Sequence, residues 1–342
     1  MSRRTPVLAA GICVGLLAVA WVAATPARSA SGGSALYARS GGSLTGGGAE
    51  RRIVLTYDDL PANIFRDSER AVAGITHDLV DAVNRHGIPA IGFVNESKLY
   101  PDGDLDSARV AFLQYWVAAG LELGNHSFSH PDLHSTDVAA FEMDVLAGER
   151  VTRELLAAVG RSPRYFRHPF LHTGRSLEIK SRVEAFLDDH GYRVAPVTID
   201  NHEWIYARAY DHALVREDPP LAGRIAEAYV AYMDSVVGYY EAQSRALVGR
   251  EIPQVLLLHA NRLNADTTDE LVGVLVDRGY SFIDLDEALR DPAYGLPDEF
   301  VGSGGITWIH RWALTRGERG EFFAGEPPAH PFVEEVFGNP PP

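Results

Sequence analysis

Residues 53–94 read IVLTYDDLPANIFRDSERAVAGITHDLVDAVNRHGIPAIGFV. The stretch opens on a short apolar run, Ile53–Tyr57, that ends in two adjacent carboxylates, Asp58 and Asp59. A helical pattern follows over Glu69–His86, closed by Gly87, and a second apolar run covers Ala90–Val94. Strand, helix, strand is the repeating unit of a parallel sheet, whose neighbouring strands need a crossover to connect them.

The unit recurs along the chain. Apolar runs at Leu121–Gly124, Tyr165–Arg167, Val194–Ile199, Val255–Leu258 and Ser281–Ile283 predict further strands. Helical patterns cover Val138–Val159, Leu177–His190 and the long Ala222–Leu247, and Gly160, Gly191 and Gly279 follow helices as stop signals. The expectation is an α/β chain whose seven strand units, complete or incomplete, close into a barrel. The pattern alone leaves an open sheet available. From Asp291 onward the chain turns Pro/Gly-rich, with Trp308, Trp312, Phe322 and Phe323, and is expected to pack across the barrel as a C-terminal extension over 291–342.

Polar residues collect where the strands end. Asp58 and Asp59 close the first strand, at the edge where barrel active sites form. One carboxylate of such a pair can bind a cation while the other faces a substrate; a turn with two solvated aspartates has the same sequence. The third strand runs into Asn125-His126-Ser127-Phe128-Ser129-His130. Two imidazoles four residues apart can chelate one metal. With Asp59 they make two imidazoles and a carboxylate, a set that leaves coordination positions open, as catalytic metals require. Arg167, at the end of the fourth strand, can pair with a carboxylate and keep it ionised. The fifth ends in Asp200-Asn201-His202-Glu203-Trp204 and the sixth in His259. His259 can protonate a leaving group, with Asp200 placed to orient it. Trp204 can wall an apolar pocket or sit in the core. His134, His168 and His172 read as bystanders. Of the first six strands, all but the second end in such a cluster.

The 342 residues are ordinary in composition, and a net charge of −15 argues against nucleic acid as a partner. Arg3 and Arg4 precede an apolar run, Val7–Ala24, with small residues at Ala27, Ser29 and Ala30. This is the order of an export signal over 1–30, removed from a secreted, periplasmic or envelope protein. The run is also long enough for an uncleaved membrane anchor. Residues 31–50, rich in Gly and Ser, read as a flexible spacer. The one cysteine, Cys13, lies in the leader, so a metal site in the mature chain must use His and carboxylate ligands.

In order, TYDD, HSFSH, RHPF, DNHEW and LLLH resemble the five motifs of the polysaccharide deacetylases, carbohydrate esterase family four, which share the chitooligosaccharide deacetylase homology domain. The resemblance spans about residues 51–290. It implies a distorted (β/α)7 barrel, TIM-like in form, and metal-dependent removal of N- or O-acetyl groups from glycans. Carried over motif by motif, Asp58 is similar to the family's base, and Asp59, His126 and His130 to its metal ligands, usually of zinc. Arg167 resembles the partner of Asp58, and His259 the acid supported by Asp200. Phe170 would offer a backbone N–H to the oxyanion, and Trp204 with Leu257 or Leu258 would line the acetyl pocket. Tyr57, Phe170 and Glu203 stand where Phe, Tyr and Asp are commoner. The implied partner is an acetylated glycan. Two other readings stay open: a related barrel hydrolase of C–N bonds in a small molecule, and a non-catalytic glycan-binding domain.

Overall fold

The computed structural model describes residues 51–64 and 68–340. The expected leader and spacer lie outside these. Seven strands alternate with helices in the order β1 (Arg51–Leu60), α1 (Glu69–Arg85), β2 (Ile91–Val94), α2 (Ser107–Ala118), β3 (Glu122–Asn125), α3 (Val138–Ala147), α4 (Arg150–Ala157), β4 (Tyr165–Phe166), α5 (Leu177–Asp189), β5 (Arg193–Val194), α6 (Glu203–Val215), α7 (Pro219–Val248), β6 (Gln254–His259), α8 (Arg262–Asp277) and β7 (Tyr280–Phe282). Beyond the barrel come α9 (Leu285–Ala288), α10 (Trp308–Thr315) and α11 (Pro331–Gly338).

All strand pairs are parallel, in the order β5-β4-β3-β2-β1-β6, with β7 beside the start of β1. Ile53 to Asp58 of β1 are all buried, the continuous burial expected of a parallel strand covered on both faces. The curled sheet closes where Ile199 bridges Leu256 of β6. The result is a distorted (β/α)7 barrel with helices outside. No helix of the described residues is long and apolar enough to cross a membrane.

Two departures from the sequence expectation have local causes. Of the predicted strand Val194–Ile199 only Val194 stays in the ladder, paired with Arg193 before it, because Pro196 has no N–H to donate. The chain then swings from β4 across to β6, where the Leu257 N–H donates to the Ile199 carbonyl at 3.1 Å. The predicted helix Val138–Val159 is two helices. A Cβ at Gly148 would lie 2.5 Å from the Phe128 nitrogen and also overlap the Ser127 backbone, so glycine admits the loop after β3. The α4 N-terminus beyond the break is held by buried Glu96, which accepts from the Val151 N–H (3.0 Å) and Thr152 N–H (2.7 Å).

The extension packs on the barrel. The Trp308 N–H donates to the Val197 carbonyl at 2.7 Å, and Trp312 is buried in the main core. Gly305 passes against the Phe170 carbonyl so closely that a Cβ there would collide with it. The α11 helix packs on α6.

Candidate active site and metal centre

Parallel strands present their C-terminal ends at one edge, so side chains scattered through the sequence arrive together. The register opposes Asp58 to His259 across β1 and β6. Around this rim the backbone is unusually constrained. Of six non-glycine residues with positive φ among those described, five are Asp59, Ser127, His130, Phe170 and Leu171. Strained conformations held by their surroundings cluster where side chains must be aimed, and here they coincide with the candidate ligands and their neighbours.

Asp59 (φ 70°) turns out of β1. Its Oδ2 accepts from Asn63 Nδ2 at 2.7 Å and its Oδ1 lies 3.3 Å from Lys98 Nζ. Burial would raise its pKa, but Lys98, His259, His126 and His130 more than offset that and hold it well below the usual carboxylate range. His126 Nδ1 donates to the Arg167 carbonyl at 2.8 Å. That bond fixes the tautomer and leaves the Nε2 lone pair for a ligand. The His130 ring stands 4.7 Å from the His126 ring. Burial pulls both imidazoles down to about 4, so both are neutral near pH 7. The donor atoms of Asp59, His126 and His130 all lie within 4.8 Å of one another. An ionised carboxylate and two neutral imidazoles fit a divalent metal of the zinc type.

Beside this triad lies Asp58, 3% exposed. Arg167 Nη1 reaches its Oδ2 at 3.4 Å, and His126 Nε2 lies 3.7 Å from the same oxygen. Oδ1 has no hydrogen-bond partner although it is buried, leaving a free acceptor on a residue that lines the site. Burial raises the Asp58 pKa, while Arg167 and His259 oppose the rise. Arg167 is fully buried and locked in place. It donates to the Ala195 carbonyl (3.0 Å) and Thr56 Oγ1 (3.0 Å) and stacks over Phe93 at 4.7 Å.

The histidine opposite is oriented differently from expectation. His259 Nδ1 donates to Glu203 Oε2 at 2.7 Å, and Asp200 makes no hydrogen bond to the ring. Glu203 stands in the first turn of α6, almost fully buried, where its other oxygen accepts from Asn264 Nδ2 (2.7 Å) and from Asn261 Nδ2. Burial works against protonated His259, but Glu203, then Asp59 and Asp58, outweigh it and hold the ring up at about 9. Asp200 shares the same cavity and is itself pushed up to about 6 by burial. Glu203, Asn261 and Asn264 went unread in the sequence; the only signal was the departure at Glu203 in the DNHEW motif.

Asp58, Asp59, His126, His130, Asp200 and His259 line a cavity of about 420 Å³ together with Phe170, Leu257 and Trp204. Of the two leucines expected at the pocket, only Leu257 faces it. Leu258 points to the other side of β6 and is fully buried in the core, as the alternation of a strand demands. Trp204 is half exposed rather than a core residue, and its ring meets Phe337 of α11 edge-on at 5.4 Å. Trp204, Asn63 and His259 are shared with an adjoining hollow of about 290 Å³, walled by Arg208, Asp211 and Phe337. Phe170 is half exposed, with its ring 4.5 Å from His130.

The polysaccharide deacetylase family profile matches residues 45–195. Over these residues the chain is similar to the polysaccharide deacetylases. Asp58, Asp59, His126, His130, Arg167 and Phe170 fall inside this deacetylase domain match; Asp200, Glu203, Trp204, Leu257, Leu258 and His259 lie beyond it. The chain is similar to a chitooligosaccharide deacetylase of Bradyrhizobium, 31% identical over 120 residues, which are 35% of this chain and 46% of that one. A chitooligosaccharide deacetylase of Sinorhizobium fredii is 30% identical over 118 residues, covering 34% and 46%. The chain thus spans about half the length of these curated relatives. The solved chitin deacetylase of the fungal pathogen Colletotrichum lindemuthianum aligns with a TM-score of 0.46 at 20% identity, over 70% of this chain and 88% of its own.

Proposed function

We propose that the protein is a metal-dependent deacetylase that hydrolyses N-acetyl or O-acetyl groups of a polysaccharide or oligosaccharide. One observation carries the reading. The Asp59, His126 and His130 donors, the unpartnered oxygen of Asp58 and the Glu203-held His259 all line one cavity. The family match over 45–195 supports it, as do the chitooligosaccharide deacetylases that the chain resembles.

In this reading Asp59, His126 and His130 hold a divalent metal, most simply zinc. Such an ion, when bound, supplies a Lewis acid for the acetyl carbonyl and lowers the pKa of water. Asp58 is the base: its open oxygen accepts the proton of the attacking water, and Arg167 favours the ionised carboxylate that burial opposes. The Phe170 N–H donates to the oxygen that gains charge as the tetrahedral carbon forms. His259, protonated through the neutral range, gives its proton to the departing amine or alcohol as the C–N or C–O bond breaks. Glu203 keeps the ring in position and Asp200 adds negative charge nearby. Leu257 and Trp204 shape an apolar seat for the acetyl methyl.

The test is acetate release from acetylated chitin oligomers, peptidoglycan, acetylxylan and exopolysaccharide, with His126→Ala as the control. Release from at least one glycan, lost in the variant, is expected. No release from any of them by zinc-loaded protein sinks the reading.

A further inference from the structure

Outside the Asp59 triad, the described residues bring together one more set of metal-ligand side chains: Asp132, His134 and His172. Asp132 and His134 follow His130 in the loop after β3, and His172 comes from the loop after β4. Their donor atoms lie within 4.8 Å of one another, and all three residues are half-buried. His172 Nδ1 donates to Asp132 Oδ1 at 2.6 Å. The His134 ring stacks on the His172 ring with centroids 3.8 Å apart and planes 8° from parallel. Both ring nitrogens of His134 are buried, and neither makes a hydrogen bond of good geometry, the Ser303 backbone beside the ring giving only a marginal contact. A buried imidazole nitrogen without a well-placed partner is costly, and a bound ion would satisfy it.

We propose that Asp132, His134 and His172 form a second divalent-metal site. It is separated from the first by the Phe170 ring, which lies 4.5 Å from His130 and 5.7 Å from His172. Two imidazoles and one carboxylate select a zinc-type ion over calcium or magnesium, which want oxygen ligands. Bonds of about 2.0–2.1 Å need donors about 3.3 Å apart in a tetrahedron. The three donors must therefore close in, and the rings must turn from their stack to point at the ion. Side-chain rotation of half-buried residues can supply that movement. The site is expected to bind more weakly than the Asp59 triad. Its ligands come from the two loops that carry His130 and Phe170, so an ion there would tie those loops together. The inference does not rest on the deacetylase reading.

Full-length protein stripped by a chelator is titrated with zinc by calorimetry, and its metal content is measured after desalting. The native chain is expected to hold two zinc ions, and His134→Ala/His172→Ala one. In a His126→Ala background, cobalt should still give a visible absorption band, and adding His172→Ala should abolish it. Equal zinc content in the native chain and the double variant overturns the proposal, as does a cobalt band that survives His172→Ala. Asp132→Asn, milder in volume, gives the same reading if the double variant fails to fold. Loss of the triad's ion alone would leave the cobalt band in place, so failures of the two sites are told apart.

Discussion

The Nδ1–H of His259 points at Glu203, 2.7 Å from its carboxylate oxygen, across the gap between β6 and the first turn of α6. The pair joins a strand end to a helix start, and its carboxylate favours the protonated imidazole in a half-buried setting. Folded, the ring titrates at about 9, above the ordinary value of about 6.5. The stabilisation is therefore complete below about pH 6.5 and is lost as pH rises through about 9.

Glu203→Gln should lower the His259 pKa toward its ordinary range. The alkaline limb of the kcat/KM profile should move to lower pH by about one to two units, with activity at pH 8 falling about two- to tenfold. The part of the stability that falls with rising pH should shrink as well. Asp200→Asn should move the limb less. Equal shifts in the two variants would restore Asp200 as the main partner of the ring.

Asp58→Asn keeps the shape of the site and removes the acceptor charge. Zinc content should stay at the native value while kcat falls about 10²–10⁴-fold, the range for loss of a general base. Turnover within a few-fold of native would remove Asp58 from the role of base.

Phe337→Ala takes away the edge contact that backs Trp204, at the border between the cavity and its neighbour. KM for longer oligomers should rise several-fold with kcat nearly constant, and the smallest substrates should feel little. A fall in kcat on every substrate would place Phe337 in support of the catalytic groups instead.

Gly148→Val tests the close approach behind the metal loop. The added carbons meet the Ser127 and Phe128 backbone, which cannot rotate away as a side chain would. A loss of about 1–3 kcal/mol is expected in denaturant unfolding, together with weaker zinc binding. Unchanged stability would mean that the loop is not pinned against α3.

Much of this architecture was legible because period and punctuation survive in the sequence. Strand ends at Asp58, His126, Arg167 and His259 are readable in the sequence, and the structure gathers those residues at one rim. What escaped depended on register and reach. Whether Leu257 or Leu258 faces the cavity is a matter of one residue along a strand, and alternation reverses the answer with each step. The choice between Asp200 and Glu203 turned on where α6 begins. His134 and His172 looked incidental because they lie far apart in sequence, and only the adjacency of the loops after β3 and β4 brings their rings into a stack. Pro196 could have warned of the shortened β5, and Gly148 of the divided helix.

The hydrogen bond from the Trp308 N–H to the Val197 carbonyl has a consequence for how the chain can be cut or inherited. Val197 sits where the chain leaves β5 for β6, so the extension supplies a donor to the wall that closes the ring. Removing everything after Arg290 would strip that donor, uncover core around Trp312 and take Phe337 from the rim. The last fifty or so residues are thus no detachable module. Recombination at that boundary would yield a barrel with an open seam.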